Sequence, residues 1–173
     1  SLRARIYNVD KYSGREEMLL SDQSFAGGLD TPEGNGIYGM ILHGHDKYDG
    51  TLWARKSYHF LNGKIVCLGT GICDGDVAHN TETTIFQLTD DDFYDAPIPQ
   101  KPYYKGQVFT DHLGTQDYIP DGQAVAYGYN ACQTSRNEGN GKVETGKWAT
   151  LVLSHGAAPK DASYEYAVLP KGG

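Results

Sequence analysis

Two imidazoles one residue apart, in His43-Gly44-His45, form the most suggestive chemical pair in the chain. Alternate residues of an extended strand share a face, so both rings point the same way only if Gly44 does not turn the chain. Zinc would need at least one further ligand that no spacing in the sequence signals, which leaves an exposed strand end as the reading. Asp74 and Asp76, and the run Asp90-Asp91-Asp92 with Asp95, carry the oxygen ligands that calcium takes. Neither group has the spaced Asp, the Gly and the terminal Glu of a calcium loop, so solvated acidic turns are expected. Ser154 and His155 are strand neighbours pointing to opposite faces, and no Gly-x-Ser-x-Gly elbow accompanies them. Glu82 reads as a cross-strand or edge carboxylate rather than a general acid or base. Tyr38, Trp53, Tyr127 and Tyr129 could stack on sugar rings, though aromatics at this density more often fill the space between sheets. No catalytic residue, metal ligand or cofactor is assigned on these grounds.

The elements that must position these residues follow from composition. With 13 Tyr, 22 Gly and 7 Pro in 173 residues and little helical patterning, the expected fold is all-β, made of short antiparallel strands and many turns. That length suits a single β-sandwich domain over residues 1–173. A formal charge of -7 and a pI near 5.2 argue against a nucleic-acid partner, and repel an anionic polysaccharide on average unless a local basic patch overrides the average. No apolar run approaches the roughly 20 residues of a membrane span, so no membrane partner is expected. The opening Ser1-Leu2 and the closing Lys171-Gly172-Gly173 suggest a piece of a longer polypeptide. Of three cysteines, Cys67 lies in an apolar run and reads as a buried thiol, while a bridge between Cys73 and Cys132 stays open.

Within residues 52–61 the side chains alternate. Leu52, Ala54, Lys56, Tyr58 and Phe60 point one way, and Trp53, Arg55, Ser57, His59 and Leu61 the other. Both faces carry apolar bulk, which suits a strand in a stacked sheet. Asn62-Gly63 is a two-residue hairpin signal, because a type I′ turn needs positive φ at both positions. Residues 64–68 return as the partner strand, 69–71 bend, and 81–88 resume a strand. Further strands are expected at 3–10, 37–43, 108–111, 123–129, 147–154 and 164–169, with a short helical turn at 15–20 and a bend at 25–28. Residues 90–104 read as a Pro-interrupted surface excursion and 134–145 as a mobile hairpin loop.

Several of these runs, taken in order, resemble the polysaccharide lyases of the chondroitin, hyaluronan and xanthan lyase family. They are FAGG (25–28), GIYGMILHG (36–44), LWARKSYHF (52–60), IVCLGTGI (65–72), HNTETTIFQ (79–87) and HGAAPKDASYEYAVLP (155–170). The run HNTETTIFQ is most similar to the family's broad-specificity chondroitin sulfate ABC lyases. The resemblance implies the family's central β-sandwich domain, in a secreted or periplasmic bacterial enzyme that cleaves glycosaminoglycans by β-elimination. In that family the Tyr, His and Arg that take the C5 proton and neutralise the uronate lie on a preceding helical domain. That domain and the glycosaminoglycan are therefore the expected partners, and the resemblance leaves this segment non-catalytic, forming one wall of the cleft. His43, His45, Arg55 and Arg136 are the candidate glycan contacts, with Arg55 and Lys56 on opposite sides of their strand. The segment itself implies no cofactor, and calcium is left to the parent enzyme. The alternative is an independent carbohydrate-binding module, marked by an exposed row of aromatics.

Overall fold

The computed structural model describes residues 21–46, 49–89, 105–111, 113–136 and 142–171. The strand expected at 3–10, the helical turn at 15–20 and the excursion at 90–104 lie outside them. The described residues form ten strands and no helix: β1 (Ala26–Asp30), β2 (Gly36–His43), β3 (Trp53–Leu61), β4 (Lys64–Cys73), β5 (Asn80–Thr89), β6 (Gly106–Thr110), β7 (Gln116–Pro120), β8 (Val125–Arg136), β9 (Val143–Ala157) and β10 (Ala162–Leu169). All pairings are antiparallel. A seven-stranded sheet runs β1-β2-β3-β4-β10-β7-β6, and a three-stranded sheet runs β5-β9-β8.

The core lies between the sheets. Ala54, Cys67, Ile72, Phe109, Ile119, Tyr164 and Tyr166 come from the larger sheet and Leu151 and Leu153 from β9, the central strand of the smaller one. Each fully buried Leu or Ile contributes roughly 1.5–3 kcal/mol. The alternation expected in β3 holds, since Leu52, Ala54 and Lys56 are buried while Arg55 is exposed. Lys56 keeps its ammonium 5.6 Å from the centre of the Tyr58 ring. Toward the hairpin tip the strand leaves the core, with Phe60 43% and Leu61 45% exposed.

The Asn62-Gly63 turn has φ of 49° and 75°, the two positive values a type I′ turn requires, and the Asn62 N–H donates to Asn35 Oδ1 at 2.9 Å. Residues 69–71 do not end the return strand. β4 continues to Cys73 through a bulge, because three residues of β4 occupy the span of two on both β3 and β10, with Gly71 at φ 61°. Residues 25–28 are not a bend, since Ala26, Gly27 and Gly28 belong to β1, an exposed strand at the edge of the sheet among the described residues, defined by its ladder to β2. The ladder of β8 and β9 reaches Arg136 opposite Val143, so paired strand takes both ends of the segment expected to be loop at 134–145. Backbone hydrogen bonding to a neighbour accounts for each of these corrections, and none of it is encoded as apolar alternation.

Candidate functional site

His43 closes β2, and its ring is held on three sides. Nδ1 lies 2.8 Å and 3.0 Å from the two carboxylate oxygens of Asp22, and Nε2 lies 3.0 Å from the Gly50 carbonyl. The ring of Trp53, its Cα partner on β3, makes a T-shaped contact with it at a centroid distance of 4.8 Å. The hydrogen bond to Asp22 raises the His43 pKa above its ordinary value, and the same bond lowers that of Asp22. A groove of about 470 Å³ opens here, lined by Asp22, Gln23, Phe25, His43, His45 and Asp46 among others. Phe25 lies over Gly39, where an added Cβ would sit 3.6 Å from its ring, and its outer side leaves the residue 60% exposed.

Of the four candidate glycan contacts, the structure brings His43 and His45 to this groove. Arg55 lies elsewhere on the larger sheet, its Nη1 beside the bulge glycine Gly71. Arg136 ends β8 in the smaller sheet, and its side chain is outside the described set. The four thus fall at three places. Asp22, which shapes the groove, carries no signal in the sequence, because it meets His43 across 21 residues of chain.

The acidic turn at Asp74 and Asp76 is built as backbone capping. Asp74 accepts hydrogen bonds from Thr81 Oγ1 at 2.7 Å and from the Asp76 N–H at 2.9 Å. Asp76 accepts from the Ala78 and His79 N–H groups and binds His79 Nδ1 at 2.7 Å, which lowers its pKa. Among the described residues no three His, Cys, Asp or Glu side chains converge on a common point as a metal site.

Side chains with base chemistry inside the sandwich are engaged with one another. His155 Nε2 lies 2.8 Å from Thr83 Oγ1, its ring stacks on Tyr164 at 5.9 Å, and burial lowers its pKa. Burial pushes the Tyr164 and Tyr166 phenols up, away from the phenolate form. Tyr127 packs against Phe109 in the core, whereas Tyr38 is 38% exposed beside Tyr58. Cys67 is a buried free thiol, and Cys73 is also free, accepting from the Asp161 N–H at 3.4 Å, so the bridge left open for Cys73 is not made.

A bulged seven-stranded sheet stacked on a three-stranded one defines an antiparallel sandwich of the kind found inside polysaccharide lyases. The chain belongs to polysaccharide lyase family 8, whose super-sandwich domain matches residues 3–172. It is 49% identical over 169 residues to the chondroitin sulfate ABC exolyase of Bacteroides thetaiotaomicron, covering 98% of this chain and 16% of that protein. The chondroitin sulfate ABC exolyase of Proteus vulgaris is 36% identical over 166 residues, covering 90% and 17% respectively. Among solved structures, a Paenibacillus xanthan lyase superposes with a TM-score of 0.68 at 28% identity, covering 88% of this chain and 17% of that one. A Streptomyces coelicolor chondroitin AC lyase in complex with chondroitin sulphate superposes with a TM-score of 0.63 at 26% identity, covering 86% and 19%. The chain thus spans about one sixth of the length of the first two relatives.

Proposed function

We propose that this chain is the central β-sandwich of a glycosaminoglycan lyase, and that it forms structure and one wall of the substrate cleft without carrying the chemistry. β-Elimination needs a base for the C5 proton and a group that neutralises the uronate carboxylate, since the developing enolate must be stabilised. The observation that carries the reading is the state of four base-type side chains, three inside the sandwich and one at the groove. Tyr164 and Tyr166 are buried with raised pKa, His155 is bonded to Thr83, and His43 is tied to Asp22 and Gly50. The groove at His43 also carries the carboxyl groups of Asp22 and Asp46, which oppose a uronate. In this reading the base and the carboxylate clamp come from a helical domain of the same polypeptide. The parent is a secreted or periplasmic bacterial enzyme acting on chondroitin, dermatan or hyaluronan, and calcium use is left to that parent.

The exposed apolar side chains of Phe25, Leu29, Tyr38, Phe60 and Leu61, all on or beside β1–β3, favour docking against the remainder of such a protein. The test is the ultraviolet absorbance of the unsaturated uronate product, with this chain and the full-length enzyme each given chondroitin sulfate, dermatan sulfate and hyaluronan. A flat trace for the chain beside a rising one for the full-length enzyme is expected. A sustained rise with the purified chain would overturn the reading and direct the search for a base to Tyr38, His43, His45 and Glu82. Tight glycan binding by the chain alone, without turnover, would favour an independent carbohydrate-binding module instead.

A further inference from the structure

From the geometry around His43 we infer that Asp22, His43 and Gly50 form a protonation-dependent clamp, which ties the segment entering β1 and the Gly50 end of the β2–β3 connection to the last residue of β2. Both ring nitrogens face groups that only accept hydrogen bonds: the Asp22 carboxylate at Nδ1 and the Gly50 carbonyl at Nε2. A neutral imidazole has one N–H and satisfies one of them, whereas the imidazolium satisfies both. The three groups come from different parts of the chain, 21 residues separating His43 from Asp22 and 7 separating it from Gly50, so the clamp joins segments that no single turn connects.

The charged groups that face the ring among the described residues are Asp22, from the segment before β1, and Asp46, from the connection after β2; both favour the imidazolium. From β3 the ring meets the neutral indole of Trp53 in a T-shaped contact. The His43 side chain is 21% exposed, so its proton exchanges with solvent without unfolding. When the proton leaves, the charge-assisted bond to Asp22 is the stronger of the two and keeps Nδ1–H, and the Gly50 carbonyl is released. The raised pKa of His43 means that the clamp is complete below the ordinary histidine value and is lost as pH rises through the folded-state value. The lowered pKa of Asp22 sets the acid limit, below which its carboxylate is protonated and the ion pair is gone. Because His43 and Asp22 both line the groove, its shape follows the same switch.

Imidazole 15N chemical shifts, followed through a pH titration of the chain, test the clamp. Both His43 nitrogens are expected to carry protons on the acid side, with a midpoint above the ordinary 6.5, and the Gly50 and Thr51 amide signals are expected to move with that midpoint. Asp22→Asn, at a side chain 63% exposed, is expected to lower the midpoint and leave the fold intact by its amide spectrum. A His43 midpoint at or below the ordinary value would overturn the clamp. So would an unchanged midpoint in Asp22→Asn, or Gly50 and Thr51 signals that stay still while His43 titrates.

Discussion

The ring of Tyr164 lies across Gly69, its partner in the β4–β10 ladder, so closely that a Cβ at residue 69 would overlap the ring. The bare Cα gives the aromatic a flat seat within the sheet, and His155 stacks on the same ring from β9. One glycine thereby fixes an aromatic that joins the two sheets.

Gly69→Ala is therefore expected to destabilise the chain by about 1–3 kcal/mol, as overpacking of a filled core does. Urea unfolding of this variant, of Tyr164→Leu and of the pair checks it. The pair should lose less than the two singles added together, because the smaller side chain makes room for the methyl. Strict additivity would mean that the overlap is relieved some other way.

Gly63→Ala tests the hairpin that orders β3 and β4. With φ at 75°, an alanine there costs about 1–2 kcal/mol. A lower urea midpoint at unchanged slope is the expected result. An unchanged midpoint would show that the turn tolerates a side chain at that φ.

Asp117 faces the core of β7, opposite Phe109 and 5% exposed, and burial with repulsion from Asp111 pushes its carboxyl up to about 7. The unfolded carboxyl ionises near 3.8, so the contribution of Asp117 to stability falls as pH rises from that value to about 7 and is level above it. Asp117→Asn should remove this dependence. Its gain should be small at the acid end and at most roughly 4 kcal/mol above the upper limit. Denaturation across that range measures it, and a gain independent of pH would mean that the carboxyl ionises normally.

Thiol labelling separates the two described cysteines. Cys67 is 2% exposed and burial raises its pKa, which disfavours the reactive thiolate, whereas Cys73 is half-buried. Peptide mass spectrometry after brief alkylation should find Cys73 modified well before Cys67, with Cys67 reacting once denaturant is added. Equal rates would place Cys67 in reach of solvent.

Local patterns in the sequence were enough to determine the all-β class, the hairpin at Asn62-Gly63, the alternation of side chains along β3 and the buried Cys67. Each rests on a short-range rule: alternation by two, or a turn that demands positive φ. The ordered runs around those elements also determined the family. Only the tertiary structure decided that β1 is a strand, since its glycines and exposed side chains carry no alternation and its identity comes from pairing with β2. β7 escaped sequence reading for a related reason, because its inward face begins with Asp117 where an apolar residue would signal a strand. The candidate site divides in the same way. His43 and His45 stand out from their spacing, but the Asp22 carboxylate, the Gly50 carbonyl and the Trp53 ring reach His43 only once the chain has folded back on itself. Sequence spacing is silent on partners joined through space, and those partners set the charge and the hydrogen bonds of the ring.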